Sequence, residues 1–114
     1  MAFEKSLHDW IQNPGKDILL VAKANDSFIG FCFTSAYVGW ALCHNLYVIE
    51  SGRRAGVGEQ LINATIDKLK QKNITYLGLL VNVDNVSGQK FYEKNGFHQG
   101  YTFRWMGKKF KTKE

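Results

Sequence analysis

Hydrophobic positions in this chain change period along its length, and the changes mark out its elements. Phe3, Leu7, Trp10 and Ile11 recur at i, i+4, i+7 and i+8, one face of a short helix over Phe3 to Gln12. Asn13-Pro14-Gly15 stops it, because proline cannot continue a helix. Asp17 to Lys23 then reads as a strand with both faces apolar at its centre. After the turn residues Asn25-Asp26-Ser27, a second strand rich in aromatics runs from Phe28 to Ala36. A turn near Val38-Gly39 leads to a third, Ala41 to Ile49, so the three should pair as an antiparallel meander. Past a glycine-rich stretch, Leu61, Ile62, Thr65, Ile66 and Leu69 share one side of a helix from Glu59 to Lys72. Lys68, Lys70 and Lys72 close it, where cations suit the helix dipole. Thr75 to Val83 alternates as a strand, and Asp84-Asn85 opens a shorter helix ending at Lys94-Asn95, with Gly96 after it. Phe97 to Phe103 reads as a last strand. The order predicts one α/β domain over residues 1–114 on a mixed sheet, with a right-handed parallel crossover from Leu42 to Val83.

Composition narrows the class. The 114 residues are 45% hydrophobic and 22% charged, which is ordinary for a globular domain. No apolar run approaches the ~20 residues of a membrane helix. Met1 to Asp9 carries acids and no apolar segment, so it does not read as a signal peptide. Two cysteines, Cys32 and Cys43, are too few for a disulfide framework and lack zinc spacing. They read as buried thiols in a reducing cytoplasm, and no metal is expected. The net charge is +5, but Arg104, Lys108, Lys109, Lys111 and Lys113 against Glu114 place +4 at the end of the chain. The basic pI is therefore a property of the tail, centred on residues 107–114. The body has no basic stripe interleaved with aromatics, which argues against a nucleic-acid module.

Two junctions carry the candidate chemistry. Arg53-Arg54-Ala55-Gly56-Val57-Gly58 links a strand to a helix N-terminus, where unpaired backbone N–H groups and the dipole favour phosphate. Glycines let a ligand approach the backbone, and the arginines add charge. No Gly-Lys-Ser/Thr follows, so this is not a P-loop, and the glycine spacing is not that of a dinucleotide fold. A plain strand–helix turn accounts for the glycines equally well. The second junction runs from Asn85 through Gly88, Phe91, Tyr92 and Lys94 to Gly96-Phe97. One helix and one strand separate the two, so both lie at the same sheet edge.

Arg53-x-x-Gly56-x-Gly58 followed by this second motif resembles the GNAT superfamily of acyl-CoA-dependent N-acetyltransferases. Its usual pattern carries alanine where this chain has Gly88, and Leu46-Tyr47-Val48 looks like the family's L-x-V strand end. The resemblance covers Asp17 to Phe103. It implies a GNAT-like fold with acetyl-CoA as cosubstrate and a primary amine as acceptor, reacting directly in a ternary complex. It places the CoA pyrophosphate on the N–H groups of Arg53, Arg54, Ala55, Gly56, Val57, Gly58 and Glu59. The pantetheine arm would pair with Leu46, Tyr47 and Val48 and touch Asn85. Tyr92 would set its phenol near the thioester sulfur as the acid for the leaving thiolate. Packing beside Phe91 is the structural alternative for Tyr92.

The attacking amine must arrive neutral, so a base or an apolar pocket must take its proton. Many family members place a glutamate four residues before the position of Val48; this chain has His44. A histidine, ordinarily titrating about pH 6.5, is chemically suited. On a regular strand it would share a face with Leu42, Leu46 and Val48, and a hydrogen-bonded core histidine is an equal reading. Asn82, Glu50 or an ordered water are the other candidates, and the oxyanion donor would be a strand-end N–H such as that of Val48. Neither cysteine reads as a nucleophile. The family's opening strand and helix, and the second strand of its C-terminal hairpin, are expected to be missing. An acceptor site so trimmed would be open to a peptide amine or completed by a second subunit, with Trp40, Tyr101 and Trp105 at a homodimer interface. A catalytically silent acyl-CoA-binding domain remains the alternative to an enzyme.

Overall fold

The computed structural model describes residues 2–5 and 17–113 except Arg54. They fall into two compact units, residues 1–82 and 83–114. The first holds a sheet of five strands in sequence order: β1 (Ala2–Lys5), β2 (Asp17–Ala24), β3 (Ser27–Ala36), β4 (Ala41–Val48) and β5 (Leu77–Leu79). The first four pair antiparallel, and β4 pairs with β5 in parallel across the helix α1 (Val57–Gln71). The expected meander and crossover pairing are therefore present. Asn25 and Asp26, at φ 52° and 65°, form the two-residue hairpin loop between β2 and β3. Asn and Asp tolerate that left-handed backbone, and its twist matches the strands.

One face of the sheet is covered by α1. Ile18, Leu20 and Ala22 of β2, Cys32 and Thr34 of β3, and Ala41 and Cys43 of β4 are buried with Val57, Leu61 and Leu69 of α1. The period of two on the strands meets the helical stripe, and each fully buried leucine contributes about 2 kcal/mol. The hydroxyl of buried Thr65 is satisfied by the carbonyl of Leu61 at 2.8 Å. The helix stops at Asn73, φ 59°, where the N–H groups of Asn73 and Ile74 donate to the carbonyls of Lys70 and Leu69. Ile74 folds back onto the core as it does so.

The second unit holds α2 (Val86–Lys94). Its end is the same kind of cap, built on Gly96 at φ 91°: Gly96 N–H donates to Glu93 and Phe97 N–H to Tyr92.

Three expectations fail. Ala2–Lys5 is a strand, not the start of a helix, and residues 6–12 of that helix lie outside the described residues. β2 offers an edge on which Ala2 pairs with Lys23 and Lys5 with Leu20, and that ladder overrides the local spacing. An opening strand is thus present where none was expected. The strand expected over Thr75 to Val83 shrinks to Leu77–Leu79, because β4 is bulged just past its last partner, Cys43. Phe97 to Phe103 forms no strand: beyond Phe97 the segment is exposed throughout and pairs with no strand among the described residues.

Candidate active site

β4 is the element that organises the first unit's chemistry. Its register against β3 slips between Phe33/Thr34 and Asn45/Cys43, leaving His44 as the extra residue of a bulge. One inserted residue exchanges the faces of everything beyond it. Leu46 and Val48 consequently pack toward the core, while His44 points to the opposite face and is exposed. His44 therefore shares no face with Leu46 or Val48, as a regular strand would have required. It is not a core histidine.

Beyond the Cys43–Leu79 pair, β4 has no β5 partner. The N–H of Ile49 donates to Ile29 on β3 at 2.9 Å, so by alternation the main-chain groups of Leu46 and Val48 face the open edge. Tyr47 sits between them, exposed, its ring 6.2 Å from that of Phe31. Arg53 reaches back along the same edge, its Nε donating to the Val48 carbonyl at 2.9 Å. The sequence-predicted strand end and glycine-rich loop are thus physically joined.

Between them the chain makes a single 3-10 turn, Glu50–Gly52, followed by a turn through Ala55. Arg54 lies outside the described residues. Gly56 precedes α1 at φ 76°, a conformation that L side chains rarely adopt. Its carbonyl accepts the first helical bond, from Gln60, and no side chain caps the helix. The N–H groups of Val57, Gly58 and Glu59 precede that first bond and have no acceptor within the helix. Four features therefore meet at this junction: helix dipole, orphan amides, a left-handed glycine and an anchored guanidinium. Such a set can hold an anion.

His44 is tied down on the sheet's other face. Its Nε2 lies 2.8 Å from Ser35 Oγ, whose hydroxyl donates to Asp17 Oδ1 at 2.8 Å. Its ring stacks on Phe33, centroids 5.4 Å apart. Sequence reading missed Ser35 and Asp17, because only the register of three strands brings them together.

In the second unit Asn85 is the N-cap of α2. Its Oδ1 accepts the Gly88 N–H at 2.9 Å and the Ser87 hydroxyl at 3.4 Å. Tyr92, two turns further on, packs edge-on against Phe91 and Phe97, at 5.2 and 5.6 Å. Its carbonyl accepts from Phe97 as part of the helix cap. Tyr92 is thus held by both the structural packing expected of it and the cap.

The two cysteines are buried thiols with sulfurs 3.7 Å apart. A hydrogen bond from Cys43 lowers the Cys32 thiol to about 7 against the opposing effect of burial, helped by Thr65 and Thr34. The Cys32 partner and burial push Cys43 the other way, well above the ordinary thiol range. Buried under α1, they face the core and not the open edge of β4. Among the described residues no helix is long and apolar enough to cross a membrane.

The sequence model of the acetyltransferase (GNAT) family matches residues 2–97. Over 99 residues the chain is 29% identical to the ribosomal protein bS18-alanine N-acetyltransferase of Salmonella typhimurium, covering 86% of this chain and 67% of that protein. Its fold resembles that of an aminoglycoside N-acetyltransferase in complex with CoA, with a TM-score of 0.80 at 19% identity, over 96% of this chain and 100% of that one. The N-acetyltransferase PaiA of Thermoplasma acidophilum, in complex with coenzyme A, superimposes with a TM-score of 0.75 at 28% identity, over 77% of this chain and 55% of that one.

Proposed function

The chain belongs to the GNAT family of acetyltransferases, and on that footing we propose that it carries an acetyl group from acetyl-CoA to a primary amine by direct attack. The observation that carries this reading is the open edge of β4, joined through Arg53 to the uncapped N-terminus of α1. The residues fit the cosubstrate. A pyrophosphate needs several N–H donors and positive charge, which Gly56, Val57, Gly58 and Glu59 provide from the backbone, with the guanidinium of Arg53 beside them; the backbone N–H groups of Arg53 and Ala55, expected to join them, are already given to the carbonyls of Glu50 and Gly52. Arg54 and Ala55 complete the loop. A pantetheine arm carries amides that match the edge groups of Leu46 and Val48, with Tyr47 between them and Asn85 contributing its side-chain amide.

Acetyl-CoA would supply a thioester, an acyl group already joined to a good leaving group. The protein supplies the rest. The amine sheds its ammonium proton to water on entering, and His44 takes the second proton from the neutral nitrogen as it attacks. The Val48 N–H, on the open edge, donates to the carbonyl oxygen as negative charge grows there. Tyr92 donates its phenolic proton to the departing sulfur as the C–N bond forms and the C–S bond breaks. The amide and the thiol leave neutral, while His44 ends as imidazolium and Tyr92 as phenolate, and exchange of one proton with water at each resets the site.

The relatives are named for a ribosomal-protein alanine and for aminoglycosides. Of these, a peptide amine suits this chain better, because its +5 charge repels a polycation on approach. A homodimer through Trp40, Tyr101 and Trp105, all exposed, and a reducing compartment that keeps Cys32 and Cys43 as thiols belong to the same proposal.

Calorimetric titration with acetyl-CoA and desulfo-CoA, beside a Gly56→Asp/Gly58→Asp variant, tests the site. Binding with a Kd of roughly micromolar order, about −8 kcal/mol, should appear and vanish in the variant. Thiol release with a short alanine-initiated peptide then tests the reaction, with Tyr92→Phe as the control. Binding without turnover on any amine would leave a silent acyl-CoA-binding domain. No binding at millimolar ligand would remove the proposal altogether.

A further inference from the structure

Asp17, Ser35 and His44 come from three neighbouring strands and meet on the face of the sheet turned away from α1. A serine hydroxyl has one proton to give. Ser35 gives it to Asp17 Oδ1, so its oxygen can only accept from His44, and the imidazole proton must sit on Nε2. Nδ1 is left with its lone pair and no hydrogen-bond partner among the described residues, on a side chain that is exposed. Stacking on Phe33 fixes the plane of the ring. Without Asp17 the hydroxyl could rotate and donate to Nε2 instead, which would place the proton on Nδ1 and leave no atom free to accept another.

We propose that Asp17 and Ser35 are positioning residues that hold His44 as the Nε2–H tautomer, making Nδ1 the atom that receives the proton of the acceptor amine. This rests on the transferase reading above and names the atom through which its base works. In the step, one proton passes from the amine nitrogen to Nδ1 as the C–N bond forms. The imidazolium keeps its Nε2–H on Ser35, and Ser35 keeps its own proton on Asp17. Neither positioning residue gains or loses a proton.

Imidazole 15N spectra of the full chain, recorded at a pH where His44 is neutral and assigned with His44→Gln, read the tautomer directly. The proton should lie on Nε2 in the wild type and in Ser35→Thr. In Ser35→Ala and Asp17→Ala both tautomers should appear, with faster exchange of the ring N–H. With acetyl-CoA and an alanine-initiated peptide, kcat should fall roughly tenfold in Ser35→Ala, a fraction of the 10²–10⁴ a general base supplies, while the KM for acetyl-CoA stays put. Ser35→Thr should restore kcat. A wild-type proton on Nδ1, identical spectra for Ser35→Ala and wild type, or a change in KM alone would overturn the proposal. A spectrum as expected in a chain that acetylates no amine would sustain the tautomer and refute the transferase reading instead.

Discussion

Substituting Gly88 by alanine, the residue usual at this point of the family pattern, isolates what the Asn85 cap contributes. In this chain a Cβ on residue 88 would come 2.8 Å from Asn85 Cγ and 2.9 Å from its Oδ1, closer than real contacts allow. The clash falls on a side chain that can rotate, so the helix survives and Asn85 leaves its capping position. Two terms then oppose one another. Alanine in place of glycine favours α2 by up to about 1 kcal/mol. Losing the bonds from Gly88 N–H and the Ser87 hydroxyl costs about 1 kcal/mol. Gly88→Ala should accordingly be near neutral. Asn85→Ala alone should cost about 1 kcal/mol, and in that background Gly88→Ala meets no obstacle and recovers most of it. The four proteins form a double-mutant cycle with a coupling of about 1 kcal/mol. Urea unfolding measures it globally, and hydrogen exchange of the α2 amides measures it locally. Additive effects would show that Asn85 keeps its cap beside a Cβ, and the steric reasoning would be wrong.

Two further outcomes follow from the first unit. At Gly56 an added Cβ meets nothing within 4 Å, so Gly56→Ala should cost only the left-handed backbone term of about 1–2 kcal/mol, with Gly56→Asn milder; an unchanged urea midpoint in the alanine variant would refute this. The raised Cys43 thiol keeps its proton in the fold where the unfolded chain, at the ordinary value of 9.0, loses it. Its contribution is therefore complete below about pH 9 and lost above, by at most about 1.4 kcal/mol per pH unit. Cys32, lowered to about 7, acts in the opposite sense between pH 7 and 9 and is spent beyond that. Urea midpoints should thus peak near pH 9 and fall on the alkaline side, while a Cys32→Ala/Cys43→Ala variant lacks that peak; parallel profiles would count against the opposite shifts of the two thiols.

What the sequence disclosed was local. Asn25-Asp26 and Gly96 announced a hairpin and a helix end because those residue types relieve a left-handed backbone wherever they stand. The stripe from Leu61 to Leu69 announced α1 because burial follows helical period. The paired motifs around Gly56 and Asn85 pointed to the family before any strand was placed. What it hid was set by partners distant in the chain. Phe3 and Leu7 carried helical spacing, yet the edge of β2 drew Ala2–Lys5 into the sheet. No pattern in Leu42 to Val48 revealed that one residue is surplus, since a bulge exists only relative to the strand it faces.

That surplus residue connects fold to chemistry. Because His44 is extra, the faces of β4 exchange beyond it: Leu46 and Val48 turn their side chains to the core, and His44 is left outside with Ser35 and Phe33. The same slip coincides with the end of the β5 ladder at Cys43–Leu79. A strand without the bulge would carry His44 on the face of Leu46 and Val48, and its ladder to β5 could continue across the main-chain groups that now stand open. One inserted residue therefore separates two sets of groups on a single strand, with the His44 imidazole on one face and main-chain groups along the open edge. Deleting Asn45 would restore a regular ladder with His44 still outside and Leu46 and Val48 still turned to the core, so it perturbs the open edge alone: calorimetric titration should show acetyl-CoA binding lost, and unchanged binding would mean that the bulge merely relieves the sheet.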